Sequence, residues 1–313
     1  MKHIVRTLAL SCALVTQLHA DDPKPYRVGF NNWIGFIAFF AAQENGAFEK
    51  AGLKVEAKSF SAPGEGLIPL LSGDLDAHLT TLDSVILKSA QAPGKISIVG
   101  LVDTSNGADA LVAKKSIDEL AKLKGAKVAV TVGECNDVLL AKALASAGLK
   151  RTDVQIVNLD PDAAGAALKA GSVDACVTWE PWITQLAGES GANVLYSTAD
   201  VPNLLLDCVA TPTGNPRAAD TRTFLKVLSE TTEFVKKDPE AAANLIADKM
   251  ELPAAEIVDM LKKLELYDAA QSKAQMASSI PAIGAELVEF FKSQGSITET
   301  VDVTAILDPG LLP

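Results

Sequence analysis

The chain has 313 residues, 48% of them hydrophobic, and carries 28 Lys and Arg against 39 Asp and Glu, a net charge of −11. That length exceeds the usual single-core domain and supplies ample apolar material for burial. An acidic chain without a basic cluster offers nothing to nucleic-acid phosphates or to an anionic membrane surface, which excludes both as partners.

Lys2 and Arg6 form a basic start, Thr7 to Val15 an apolar stretch too short to cross a bilayer, and Leu18-His19-Ala20 a small-residue cleavage site before Asp21-Asp22-Pro23. This predicts a cleavable secretory signal at 1–20 and a periplasmic, soluble mature protein. Cys12 invites a lipoprotein reading, but Ala9-Leu10-Ser11 fits a lipobox poorly. Cleavage removes two bases and no acid, taking the net charge to −13 (26 bases against 39 acids). No later run of about 18 apolar residues could serve as a transmembrane helix. Three cysteines remain, Cys135, Cys176 and Cys208, enough for at most one internal disulfide. None has metal-ligand spacing and His78 is the one histidine left, so neither a metal nor another cofactor is expected.

In chain order, Tyr26–Phe30 reads as a strand, Gly35–Asn45 as a helix stopped by Gly46, and Val55–Phe60 as a second strand. A short apolar helix to Leu71 and a strand at Ala77–Thr80 follow, then a helix from Asp83 or Ser84 to Ala90 and a strand at Ile96–Asp103. The alternation then starts again: strand Lys127–Val132, helix Asp137–Ala147, strand Val154–Leu159, helix Ala163–Ala170, strand Ala175–Trp179, helix Trp182–Gly188. Strand–helix–strand connections of this length predict parallel sheets. From Pro216 the pattern is helical, with Phe224, Leu225, Val227, Leu228, Phe234 and Val235 on one face of Asp220–Lys237, and further helices starting at Pro239, Pro253 and Ala274.

The second half repeats the first. Gly73-Asp74-Leu75-Asp76-Ala77-His78-Leu79-Thr80-Thr81 returns as Gly171-Ser172-Val173-Asp174-Ala175-Cys176-Val177-Thr178-Trp179, and Ala51-Gly52-Leu53-Lys54 returns as Ala147-Gly148-Leu149-Lys150. Val28 with Asn31-Asn32-Trp33 is matched by Val128 with Thr131-Val132-Gly133. A single repeat of this length is a duplicated α/β subdomain, and two such lobes facing each other make a cleft.

Ligands of α/β sheets sit at the carboxyl ends of the strands, where helix N-termini offer free N–H groups. The candidate ligand-binding residues are therefore Asn32, Trp33, Ser61, Gly64, Thr81 and Asp83 in the first lobe, and Glu134, Cys135, Asn136, Trp179 and Glu180 in the second. Several have plainer readings: Asp83 as a helix cap, Asn32 as a turn former, Trp33 and Trp179 as core aromatics, and Glu180 as a carboxylate favouring a helix dipole. Glu65, Asp83, Glu134, Asp160 and Glu180 cluster near these ends with no Lys or Arg among them. A lone anion is disfavoured there, and a solute with an amine, amide or heterocyclic nitrogen is favoured, including a zwitterion such as taurine.

The stretch from Phe40 to Leu53 (FAAQENGAFEKAGL), with Gly73-Asp74-Leu75-Asp76-Ala77 and Trp179-Glu180-Pro181-Trp182, resembles the nitrate/sulfonate/taurine class of periplasmic solute-binding proteins of ABC transporters. The resemblance runs over nearly the whole mature chain. It implies a bilobed type II binding-protein fold with extra C-terminal helices, closing over a solute, and crossovers near Asp103–Ala108 and Asp207–Thr211. Lobe 1 would then be 21–106 plus 211–313 and lobe 2 107–210. The implied partners are an ABC permease and its ATPase, with the protein itself a monomer and no catalytic residue. The alternative is an enzyme on the same fold, of the kind that makes pyrimidine or menaquinone precursors. Its one reactive-looking group would be Cys135 at a helix N-terminus, unaccompanied by a histidine. A sensor module reporting to a receptor is a third reading.

Overall fold

A computed structural model describes residues 24–313; the signal expected at 1–20, with Cys12, lies outside the described residues. In chain order the strands are β1 (Tyr26–Asn31), β2 (Val55–Phe60), β3 (Ala77–Thr81), β4 (Ile96–Ser105), β5 (Asp109–Ala113), β6 (Lys127–Val130), β7 (Gln155–Asn158), β8 (Ala175–Trp179), β9 (Asn193–Ser197), β10 (Leu206–Pro212) and β11 (Leu264–Leu266). The helices of the first part are α1 (Ile37–Glu44), α2 (Ala47–Lys50), α3 (Leu67–Ser72), α4 (Leu82–Gln91), α5 (Cys135–Ser146), α6 (Pro161–Lys169) and α7 (Trp182–Ser190). The C-terminal part adds α8 (Ala218–Lys237), α9 (Pro239–Met250), α10 (Ala254–Leu261), α11 (Ala269–Ser278) and α12 (Ile280–Ser293).

Two sheets result, with strand orders β2-β1-β3-β10-β4-β11 and β7-β6-β8-β5-β9. They are mixed, not parallel. In each, the expected parallel trio (β2-β1-β3 and β7-β6-β8) is present, but the next strand runs antiparallel: β10 against β3 and β4, β5 against β8 and β9. The cause is the path of the chain. It leaves the first sheet on β4 and enters the second on β5 through Asn106–Ala108, then returns from β9 to β10 through 198–205. The second passage therefore comes before Asp207–Thr211, which lies inside β10 and pairs wholly within the first sheet. β5 escaped the reading of alternating strands and helices because no helix separates it from β4, and β9 and β10 escaped it because they follow the last helix of that series, α7, with only a short 3-10 turn between them.

The edges and centres of both sheets follow from composition. β3 and β8 are buried along their full length, whereas the edge strand β2 (VEAKSF) is largely exposed and polar. Asp160, Asp238 and Asp268 cap α6, α9 and α11, accepting from Ala163 N–H (2.8 Å), Ala241 N–H (3.0 Å) and Gln271 N–H (3.0 Å). A proline opens α6 and α9, where its missing N–H costs nothing. The C-terminal helices pack on the first sheet: Phe224, Leu225 and Leu228 of α8 join Phe36, Phe39 and Phe48 in one apolar cluster. Residues of α5, in the second half, share a second cluster with Leu82 and Val85 of α4 and with Leu287 and Phe291 of α12, so the two halves are also in apolar contact.

The sequence repeat holds to single hydrogen bonds. β3 meets β1 at Val28↔Ala77 and β8 meets β6 at Val128↔Ala175. Asp76 accepts from the Arg27 N–H at 2.8 Å and Asp174 from the Lys127 N–H at 2.8 Å, while Thr80 and Thr178 donate to the Pro63 and Pro161 carbonyls at 2.7 and 2.8 Å. Each aspartate also meets a base, Asp76 the Arg27 guanidinium (2.8 Å) and Asp174 the Lys114 ammonium. Asp76 is 8% exposed and Asp174 29%, so the two copies differ in energy. Asp76→Ala is expected to destabilise the protein by about 2–3 kcal/mol, and Asp174→Ala by about 1 kcal/mol. Urea unfolding of the two variants measures the difference, and equal losses would contradict it.

Candidate functional site

The carboxyl ends of β1 and β3 in the first sheet face those of β6 and β8 in the second. Trp33, just after β1, and Trp179, the last residue of β8, meet across the gap with ring centroids 6.0 Å apart at 57°. Both are 3% exposed. Trp33 Nε1–H donates to the Asp103 carboxylate at 3.2 and 3.4 Å, and a Cβ at Gly35 would collide with both groups, so glycine is what lets this contact form. Trp179 Nε1 has no hydrogen-bond partner. Beside the rings lies a cavity lined by Asn31, Trp33, Pro63, Thr81, Asp109, Cys135, Trp179, Leu205 and Asp207. About 10 Å³ of it is open to the centre of a water molecule, on the order of one water.

Three acids at this place come from the strands that carry the chain between the sheets. Asp207 of β10 pairs in register with Thr81 of β3 and with Asp103 of β4, and Asp109 of β5 pairs with Trp179. Burial pushes Asp103 and Asp109 up to about 7, in each case against hydrogen bonds that favour the ionised form. Asp207 is raised further, by burial and then by the neighbouring Asp103 and Asp109. Asp83 is raised to about 6 by burial. Strand-interior acids were not among the expected site residues, yet each stands in an apolar run (Leu101-Val102-Asp103, Ala108-Asp109-Ala110-Leu111, Leu205-Leu206-Asp207) where a lone carboxylate demands a partner. That is the signal that could have found them.

Two further contacts join the halves. Gly64 N–H donates to the Glu134 carboxylate at 3.1 and 3.2 Å and Ser84 Oγ–H to the same carboxylate at 3.1 Å. A Cβ at Gly64 would sit 2.5 Å from Glu134 Oε1, so this close approach also requires glycine. Burial and the nearby Asp83 raise Glu134 to about 7. Glu180, fully buried, accepts from Thr184 N–H (3.1 Å), Thr184 Oγ–H (2.9 Å) and the Lys263 ammonium, which comes from the other half just before β11. At the first crossing, Gly107 N–H donates to Thr198 Oγ1 at 2.7 Å, and Ser105 Oγ lies 2.8 Å from the same oxygen.

Of the expected residues, Trp33, Thr81, Cys135 and Trp179 line one cavity, and Gly64 and Glu134 pair with each other beside it. Thr81 Oγ–H is used on Ser84 Oγ (2.8 Å). Asn136 is buried with its Nδ2 unpartnered, and Asp83 is buried with Oδ2 unpartnered. Asn32 and Ser61 are exposed. Glu180 has both oxygens engaged by Thr184 and Lys263, which corrects the reading that no base approaches these strand ends. Cys135 opens α5, but burial pushes its thiol well up, the opposite of the lowered value a reactive cysteine needs. Cys135, Cys176 and Cys208 are all buried and free.

A sequence model described as the NMT1-like family matches residues 19–250. The chain is 30% identical over 270 residues to a putative aliphatic sulfonates-binding protein of Escherichia coli, 83% of each chain being covered. It is 25% identical to the taurine-binding periplasmic protein of the same organism, covering 82% of this chain and 83% of that one. The crystal structure of the periplasmic aliphatic sulphonate binding protein SsuA from Escherichia coli superposes with a TM-score of 0.73 at 26% identity, covering 90% of this chain and 96% of the other. The periplasmic-binding-protein fold is thereby shared over almost the whole described chain.

Two outcomes follow from the geometry. The raised acids hold protons in the folded state that the unfolded chain has lost above about pH 4, so folding stability falls as pH rises through the interval from about 4 to about 7. The unligated protein is expected to melt at a higher temperature near about pH 5 than near about pH 8, and a melting point rising across that range would contradict the assignment. Lys263→Ala leaves the buried Glu180 without its base and is expected to enlarge the radius of gyration of the unligated protein in X-ray scattering. An unchanged radius would show that this ion pair does not hold the halves together.

Proposed function

This chain belongs to the NMT1-like family, and from that premise we propose that it is the extracytoplasmic solute-binding component of an ABC importer. It captures a small nitrogen- or sulfur-containing organic solute between two lobes. The observation that carries the reading is the cavity whose walls come from both sheets, with Trp33 of the first half and Trp179 of the second meeting at its edge. A solute entering there must first part the lobes, and its contacts to both then favour the closed form over the open one. In this reading residues 24–105 with 206–313 and residues 109–197 move as the two bodies, since β10 (Leu206–Pro212) belongs to the first sheet and shifts the expected boundary at 210/211 to before it. Asn106–Ala108 and 198–205 are the hinges, where Thr198 ties the two passages together. A permease reads the closed shape, and its ATPase drives release.

Binding rather than bond-making is supported by what the cavity lacks for catalysis. Cys135 is held protonated by burial, and His78 is fully buried, donating from Nε2 to the Pro63 carbonyl at 2.8 Å, with its pKa lowered by burial. Neither is poised as nucleophile or base. The relatives' names, sulfonate- and taurine-binding, define the chemical neighbourhood in which the solute is sought.

The test is a thermal-shift screen of residues 21–313 against alkanesulfonates, taurine, nitrate, amines, amides and pyrimidines. A true ligand at 100 times its Kd stabilises by about 2.7 kcal/mol. Trp179→Ala is expected to weaken binding of that ligand by at least about tenfold, because the ring forms one wall of the cavity. A ligand whose affinity survives both Trp33→Ala and Trp179→Ala would place the site elsewhere.

A further inference from the structure

The cavity beside the two tryptophans carries carboxyl groups and no basic side chain. Asp109 and Asp207 line it, with no Lys, Arg or His. Asn31, 2% exposed, also lines it, and its Oδ1 has no hydrogen-bond partner. Asp83, two residues beyond the lining Thr81, has a buried and unpartnered Oδ2. The donors an anion would require are meanwhile taken by the chain's own carboxylates. Gly64 N–H and Ser84 Oγ–H donate to Glu134, and Trp33 Nε1–H to Asp103. Asn136 Nδ2, next to the lining Cys135, and Trp179 Nε1 are the buried donors without a partner here.

We infer that the solute is a compact organic cation rich in N–H donors, held by Asp109, Asp207 and Asn31 against the Trp33 and Trp179 rings. The inference rests on the solute-binding reading and narrows its substrate class. A cation supplies the charge that buried carboxylates lack, and its N–H groups satisfy the unpartnered Asn31 oxygen. Indole faces are the strongest aromatic partners for such a charge, most of all where water is excluded. Glu134 is the internal counterpart of this choice: a carboxylate from the second half occupies the backbone and hydroxyl donors of the first, so a sulfonate would have to displace it.

Titration calorimetry of residues 21–313 with guanidinium, methylammonium and ethanesulfonate, each at millimolar concentration, tests the assignment. At least one of the two cations is expected to bind and ethanesulfonate not to. Binding should release protons, read as a heat that changes with buffer, because the acids facing the cation (Asp83, Asp103, Asp109, Asp207 and Glu134) ionise against it. Asp109→Asn and Asp207→Asn should each weaken the cation by at least about tenfold while melting no lower than the parent protein, since an amide removes a buried charge without changing shape. Binding of ethanesulfonate alone, or cation affinity unchanged in both variants, overturns the inference and leaves the solute-binding reading standing. If neither cation nor ethanesulfonate binds, the inference falls, and the solute-binding reading stands or falls on the wider thermal-shift panel.

Discussion

The buried carboxylates at the join of the two sheets are the constraint around which the rest is arranged. Asp103, Asp109 and Asp207 stand on the strands that enter and leave the crossings, and an isolated charge there is costly by several kcal/mol. The fold tolerates them because burial raises their pKa values, so that they spend much of their time protonated near neutrality. A group placed at such cost against packing is a candidate for function, since apolar residues of the same size would stabilise the closed form more.

The duplication explains why the site lies where it does. Each half brings a parallel trio whose innermost strand, β3 or β8, ends at the cleft. The matched Asp76 and Asp174 pin that strand to its parallel neighbour, β1 or β6, at the far end. With both trios pinned alike, the residues after β1 and at the end of β8 face one another, which is how Trp33 and Trp179 meet. The antiparallel strands β10 and β5 then carry Asp207 and Asp109 to the same level through their register with Thr81 and Trp179. Position along a strand, fixed by hydrogen-bond register, places the acids more firmly than a loop could.

Much of this was legible from residues alone. The repeat, the parallel trios, the helical C-terminal part and four of the cavity-lining residues (Trp33, Thr81, Cys135, Trp179) follow from motif and position at strand ends. Asp207 and Asp109 did not, because strand ends defined by alternating strands and helices exclude strands that enter a sheet from the other half; Asp103 closes the strand read at Ile96–Asp103 and reads as the start of a crossing instead. Lys263 was invisible for a related reason: it stands 83 residues from Glu180 in a region read as helical, and nothing local marks it as an ion-pair partner. Asn32 and Ser61 show the opposite failure. Adjacent to Asn31 and Ala62, which are buried, they have the right composition but are exposed, Ser61 where the chain bends away after β2.

The two kinds of contact between the halves act in opposite directions, and their balance is what a binding protein needs. Apolar packing of α5 against α4 and α12, the Glu134 contact with Gly64 and Ser84, and the Glu180–Lys263 pair all favour closure. The acids crowded in the cavity oppose it, because closing removes water from Asp83, Asp109 and Asp207. Where two such effects match, open and closed populations differ by little, and a solute that neutralises the cavity can shift them by its differential affinity alone. Replacing the acids by apolar residues would leave a more stable protein closed without its solute, with nothing to signal that one had arrived.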